Sequence, residues 1–463
     1  MANRIYLCLA HMSETGEEQK YIKEAFDMNW VVPLGPNVDG FEKDLENFVT
    51  QKSQIAQKDC NCLAENAAMT KRVVALSSGT AAVHLALIAC GVGPGDEVIT
   101  QSFTFCASAH PVTYLGATPV FIDSEKDTWN MDPELMEEAI KDRIAKTGKK
   151  PKAIVPVALY GMPYRIDRIM EIADRYGIPV VEDSAEGFGS RYKGRVLGTF
   201  GKYGVLSFNG NKMITTSGGG ALITENDEQW REIMMYATQY RESYPYYQHE
   251  KIGYNYRMSN ICAGIGRGQM TVAEEHLAHH RHIQKMYEEL LADVKGIHVH
   301  KQPDVRCRMA DGREVPVFDS NYWLCTITLD PEVRIKGQEN AYKTIVKGAV
   351  GGAAGVIHVA SSATTDCQPN DNVEALREFL NQANIEARPL WKPMHKQPVY
   401  EGRRLLDDER REGYHIVTTD KSISYVNGVS EALFKLGLCL PTGPCVSDDD
   451  VRYIVETIKS AME

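Results

Sequence analysis

The run Ser207-Phe208-Asn209-Gly210-Asn211-Lys212, followed by Thr215-Thr216-Ser217-Gly218-Gly219-Gly220, holds the residues whose types and spacing most suggest chemistry. A lysine on a strand-end loop among small residues can be stripped of water and lose its proton. The neutral amine then condenses with a carbonyl to form a Schiff base. The hydroxyl of Ser207, five residues before the lysine, can reach a phosphate from the same loop, and the glycine run lets backbone pass close to a flat ring. A single lysine near glycines is ordinarily a surface residue, so its neighbours must make the case.

Three neighbours do. Glu182-Asp183-Ser184-Ala185-Glu186 leaves the apolar run 178–181. A pyridine ring draws electrons only while its nitrogen stays protonated, which requires a buried carboxylate partner. Asp183 suits that place, since its charge would then be paired; it could equally cap a helix. Glu186 either faces a ring oxygen or closes a capping box. Ser78-Gly79-Thr80-Ala81-Ala82 turns a strand into a helix and offers N–H groups and a positive helix end to a phosphate. With Ser207 it forms a phosphate cup. Phe105, in Ser102-Phe103-Thr104-Phe105, could cover a ring face or pack into the core. A phosphate, a protonated ring nitrogen and a lysine-bound carbonyl together describe pyridoxal phosphate, with Lys212 as its Schiff-base partner.

The elements that must position these residues follow from periodicity. Across residues 73–220 short β-branched runs alternate with helical stretches, which predicts a mostly parallel sheet with helices on both faces. All three motifs fall where strands exit into loops, the side of such a sheet on which ligands bind. After residue 270 the pattern becomes that of a smaller α+β unit. We therefore expect a large domain over 1–275 with a surface insertion near 50–70, and a small C-terminal domain over 276–463 with insertions near 334–370 and 401–428. The predicted helix 273–293 carries His276, His279, His280 and His282. Without acidic or cysteine partners at ligand spacing, these read as a solvated face, and no metal is expected.

Composition narrows the class. The 463 residues carry 51 basic and 62 acidic side chains, a formal charge of −11, which argues against a nucleic-acid surface. The N-terminus lacks the apolar length of a signal peptide, and no run of about 18 apolar residues spans a membrane. The eleven cysteines form no framework, and Cys60 and Cys62 do not make a Cys-x-x-Cys pair. Reduced thiols in a cytoplasmic protein are the expectation. No G-x-G-x-x-G opens a helix, so the dinucleotide-binding reading lacks its main support.

SSGTAAVHLAL, EDSAEGFGSRYKGRVLGTFG, SFNGNKMITTSGGG, GYNYRMSNICAGIGRGQ and RPLWKPMH together resemble the DegT/DnrJ/EryC1/StrS aminotransferases, from about Tyr21 to the C-terminus. The resemblance implies a fold-type I α/β transferase with a mostly parallel seven-stranded sheet in its large domain. It implies transfer of an amino group from glutamate to a nucleotide-linked keto sugar by a ping-pong reaction, with pyridoxamine phosphate in the cycle. Lys212 would hold the cofactor, Asp183 would pair with its ring nitrogen, and Gly79, Thr80 and Ser207 would bind its phosphate. Phe105 would stack on the ring, and Glu186 stands where the family often has glutamine. Asn255 would reach the cofactor phosphate of a neighbouring subunit, making a homodimer with shared sites. His395, Trp391 and Arg257 fall on the substrate side. Within the family the motifs look closest to enzymes that aminate C4 of UDP-4-keto-6-deoxy-N-acetylglucosamine, as in the bacillosamine pathway. The alternatives are amination of a GDP- or dTDP-linked sugar or a cyclitol, and a non-catalytic sugar-nucleotide-binding protein on the same fold. A dehydratase is a further alternative, but in that likeness the lysine position carries histidine.

Overall fold

A computed structural model describes residues 4–50, 71–309, 312–342, 349–350, 356–357, 367–406 and 408–463. Cys60 and Cys62, the insertion near 50–70 and most of the one near 334–370 lie outside these residues.

Seven strands form the large sheet: β1 (Arg72–Leu76), β2 (Glu97–Gln101), β3 (Thr118–Ile122), β4 (Ala153–Val155), β5 (Val181–Asp183), β6 (Tyr203–Ser207) and β7 (Gly220–Thr224). Their order is β3-β2-β4-β5-β6-β7-β1. Parallel bridges Ile154–Val180 and Val157–Asp183 join β4 to β5 and so link the two halves. Only β7 runs antiparallel to its neighbours. These strands are buried almost throughout, because helices cover both faces, and hence they read as apolar runs rather than alternating ones. Helix Gly79–Ala89 follows β1, helix Pro133–Thr147 follows β3, and helix Ile166–Tyr176 follows β4. The mostly parallel sheet and fold type I are as expected.

Beyond β3 the sheet continues. β8 (Glu409–Arg411), β9 (Tyr414–Thr418) and β10 (Ile423–Val426) extend its edge, with β10 parallel to β3. The segment 401–428, expected as a surface excursion, is thus a built part of the large sheet. Its strands 423–426 are fully buried, because Ile423 and Tyr425 pack against Val120 and Ile122.

A second sheet of four antiparallel strands lies in the C-terminal half, in the order Ile297–Val299, Cys325–Leu329, Gly437–Leu440, Arg388–Pro389. The first described residues join this unit rather than the large one. Ile5 bridges Ile385, and the Thr442 N–H donates to the Leu7 carbonyl. Helix Ala273–Leu290 supplies a correction: His276 and His280 face the core, not solvent. Each sets Nδ1 against a carbonyl, that of Met213 at 3.2 Å and of Tyr322 at 3.1 Å. A helix packed on two sides turns such positions inward whatever their polarity. No described helix is long and apolar enough to cross a membrane.

Candidate active site

The loop between β6 and β7 is closed at its base by two backbone bonds, Phe208 N–H to Gly219 O and Thr216 N–H to Phe208 O, both 2.9 Å. Within it, the Lys212 side chain is only 13% exposed. Its Nζ lies 3.5 Å from Glu186 Oε1 and 4.0 Å from the centre of the Trp323 ring. That ring is fixed in turn, since the indole N–H of Trp323 donates to the Asn211 carbonyl at 2.6 Å. The amine thus sits between a carboxyl group and an aromatic face, with little access to water.

Glu186 is buried, which pushes its carboxyl pKa up, while the nearby Lys212 pulls it down. Its Oε2 accepts the backbone N–H of Tyr160 at 2.7 Å. Tyr160 adopts a left-handed conformation, φ +53°, to aim that N–H. A Cβ on the following Gly161 would fall 1.8 Å from Asn321 Oδ1, so only glycine fits. Asn321, from the C-terminal half, donates to the carbonyls of Glu186 and Phe188 at 2.8 and 2.9 Å and fixes this wall.

Asp183 ends β5 with only 3% of its surface exposed. One oxygen accepts the Ser108 hydroxyl at 2.6 Å and the other the Ala185 N–H at 3.1 Å. Burial raises its pKa; these hydrogen bonds and the charge of Lys212 oppose that. No helix begins within 184–190, so neither Asp183 nor Glu186 is a helix cap. A buried carboxyl group held by two donors fits the protonated nitrogen of a pyridine ring.

The phosphate cup also comes together. Ser78 caps helix Gly79–Ala89 by accepting the Ala81 N–H. A Cβ on Gly79 would stand 3.1 Å from that of Ser207, and one on Gly220 would stand 2.4 Å from the Gly79 nitrogen. The end of β6, the start of β7 and the helix N-terminus therefore meet without side chains between them. Thr80, next along the helix, is partly exposed there. This cradle, with the positive helix end, fits a phosphate.

At the mouth, the Phe105 ring is 49% exposed and lies 5.2 Å from Trp391. Trp391 stacks on Tyr160, whose hydroxyl accepts the Trp391 backbone N–H at 2.7 Å. The side chain of His395 is buried between Ser102 Oγ at 2.6 Å and Glu431 Oε1 at 3.1 Å. Asn255 is exposed at the surface. Arg257 is employed elsewhere: its guanidinium is paired with Glu42 and donates to the Ala75 carbonyl at 3.0 Å, tying β1 to helix Pro36–Thr50. Sequence reasoning missed Ser108, Tyr160, Asn321, Trp323 and Glu431. Only Ser108, three residues beyond the Phe105 motif, lay within reach of a sequence signal.

A buried lysine beside two carboxyl groups, beyond the strand ends of a mostly parallel sheet, defines an enzyme of the fold-type I pyridoxal-phosphate class. The DegT/DnrJ/EryC1/StrS aminotransferase family matches residues 63–338, and the chain belongs to that family. It is a pyridoxal-phosphate-dependent sugar aminotransferase. Over 458 residues it is 38% identical to EpsN of Bacillus subtilis (strain 168), assigned as a pyridoxal phosphate-dependent aminotransferase, covering 99% of this chain and 96% of that one. It is 31% identical over 454 residues to GDP-perosamine synthase of Escherichia coli O157:H7, covering 98% of each. Among solved structures, a DegT DnrJ EryC1 StrS aminotransferase from Brucella abortus superposes with a TM-score of 0.72 at 25% identity, over 96% of this chain and 95% of that one.

Proposed function

We propose that the chain transfers the amino group of glutamate to a nucleotide-linked keto sugar, with C4 of UDP-4-keto-6-deoxy-N-acetylglucosamine as the leading acceptor. The observation that carries the reading is the placement of Lys212 Nζ, 3.5 Å from buried Glu186 and close enough to Asp183 for its charge to stabilise that carboxylate.

Bound here, pyridoxal phosphate supplies an electron sink for the carbon that loses its proton. The chain's own residues do the rest. Lys212 would hold the group at rest, and its amine, when free, is placed to take a proton and to return one. Glu186 gives the lysine a counter-charge while it holds that proton. Asp183, kept in place by Ser108, holds a negative charge opposite the ring nitrogen. Gly79, Thr80 and Ser207 would hold the phosphate, Phe105 would cover one ring face, and Trp323 and Tyr160 would keep water from the amine. Glutamate and sugar use the same lysine, so one product must leave before the second substrate enters.

Asn255, exposed in the single chain, completes the site of a second copy in a homodimer. A GDP-linked acceptor is the second reading. It is supported by three GDP-perosamine synthases that match 96–98% of this chain. Purified protein supplied with glutamate and UDP-, GDP- and dTDP-linked 4-keto sugars tests both readings. Amination of the UDP-N-acetyl sugar is expected, preference for the GDP sugar selects the second reading, and no amination of any of them overturns both.

A further inference from the structure

Helix Ala273–Leu290 points two histidines at backbone on either side of the lysine. His276 and His280 lie one turn apart and are 4% and 0% exposed. His276 Nδ1 is 3.2 Å from the carbonyl oxygen of Met213, the residue after Lys212. His280 Nδ1 is 3.1 Å from that of Tyr322, the residue before Trp323. A carbonyl only accepts, so in each ring Nδ1 carries the hydrogen and donates it. Burial keeps both rings neutral: it lowers the pKa of His276 and holds that of His280 down to about 3.

These two bonds close a circuit. The indole N–H of Trp323 donates to the carbonyl of Asn211, the residue before Lys212, at 2.6 Å, and its ring centre stands 4.0 Å from Lys212 Nζ. From His276 the path runs through Met213, Lys212 and Asn211 to Trp323, then through Tyr322 and His280 back to the same helix. Two ties from other segments fall further from the lysine: Ala10 N–H donates to the Gly210 carbonyl at 3.4 Å, and Thr215 N–H to Gln269 Oε1 at 3.3 Å. Tyr322 holds a left-handed conformation, φ +48°, which a bulky residue keeps only where its surroundings fix it. An amine that moves protons gains from such a frame, since a misplacement of about 1 Å can cost on the order of 10²-fold in rate.

We propose that His276 and His280 are positioning residues: from successive turns of one helix they brace the loop that carries the Lys212 amine and the Trp323 ring that faces it. Both act through backbone carbonyls. The inference rests on the reading of Lys212 as the amine that holds the cofactor.

Chemical labelling of the cofactor-free protein tests the brace without any turnover. Formaldehyde with cyanoborohydride methylates accessible amines, and mass spectrometry of the peptide containing Lys212 reads the rate. His276→Leu and His280→Leu remove the donors and keep bulk. Each is expected to speed labelling of Lys212 several-fold at a temperature where circular dichroism shows the variant folded. Asparagine carries an N–H as many bonds from Cα as histidine Nδ1, so His276→Asn and His280→Asn should label at close to the parent's rate. The double variant His276→Leu/His280→Leu should label no faster than the faster single one, because one broken link opens the whole circuit. In the loaded enzyme the leucine variants should lose about tenfold in kcat with the KM for glutamate changed less than about twofold, and the asparagine variants should recover most of that loss. Unchanged labelling in folded leucine variants, asparagine variants that label as fast as the leucine ones, or rates that multiply in the double variant would overturn the inference. Should a leucine variant not fold, His276→Gln or His280→Gln, with its N–H one carbon further out, takes its place under the same outcomes. A Lys212→Ala variant that keeps the visible absorbance of bound cofactor overturns the reading of Lys212, and the inference with it, whatever the labelling rates.

Discussion

Glu186 Oε1 lies 3.5 Å from Lys212 Nζ, and the other oxygen of the same carboxyl group accepts the N–H of Tyr160. The reactive amine therefore faces a buried acid whose orientation is set by left-handed backbone 26 residues before it in the chain. Replacing the amine removes both anchor and proton carrier. Lys212→Ala should lose turnover and the visible absorbance of the bound cofactor, and absorbance spectra with an amination assay check this. Retained transamination in that variant would remove the mechanism.

Asp183 and Ser108 form a second pair. Asp183→Asn keeps the shape but removes the charge opposite the ring nitrogen, and kcat should fall roughly 10²–10³-fold. Ser108→Ala deletes only a 2.6 Å donor to that carboxylate, a loss of about 1.5–3 kcal/mol at most. Steady-state rates of the two variants should keep this order; a larger loss in Ser108→Ala contradicts it.

The cup made by Gly79 and Ser207 predicts a binding effect rather than a rate effect. Ser207→Ala removes a hydroxyl, and Gly79→Ala pushes a methyl to 3.1 Å from Ser207. Each should weaken cofactor affinity about tenfold, measured by titrating the cofactor-free protein with pyridoxal phosphate. Unchanged affinity in both would place the phosphate elsewhere.

His280 predicts acid sensitivity. Complete burial holds its pKa down to about 3. The unfolded chain takes up a proton near pH 6.5 that the native state refuses. The stability this residue contributes is intact above about 6.5 and is lost as pH falls toward 3, by up to about 1.4 kcal/mol per pH unit. Thermal melts across that window should fall less steeply for His280→Gln. Parallel slopes would show that the residue is not buried.

A shared site predicts complementation. Lys212→Ala and Asn255→Ala should each be inactive or nearly so. Mixed and reassembled, they should regain activity, because each hybrid dimer contains one site with both residues intact. No recovery on mixing, or a monomer by light scattering, would argue that each chain works alone.

How far the sequence could be read follows from the range of each interaction. Lys212, Ser207, Asp183 and Gly79 announced themselves because strand exits in an alternating pattern converge on one side of a parallel sheet. Sequence order alone therefore brings them near each other. His276 and His280 of helix Ala273–Leu290 misled, since polarity says nothing about how many sides of a helix are covered. The ion pair of Arg257 could not be read from its motif either: the motif carries the arginine, but not the carboxylate from helix Pro36–Thr50 that meets it.

The order of strands and helices, the lysine loop and the family were decided by the chain's local patterns, which act over a few residues and survive without coordinates. Tertiary structure alone decided that residues 409–426 widen the large sheet, that Trp323 and Asn321 wall in the lysine, and that Glu431 meets His395. Each of those is a contact between segments 36 to 304 residues apart, and no periodicity or propensity encodes which distant side chain will fill a given gap. Packing settles it, because only the folded chain shows which buried donors and acceptors are still in need of a partner.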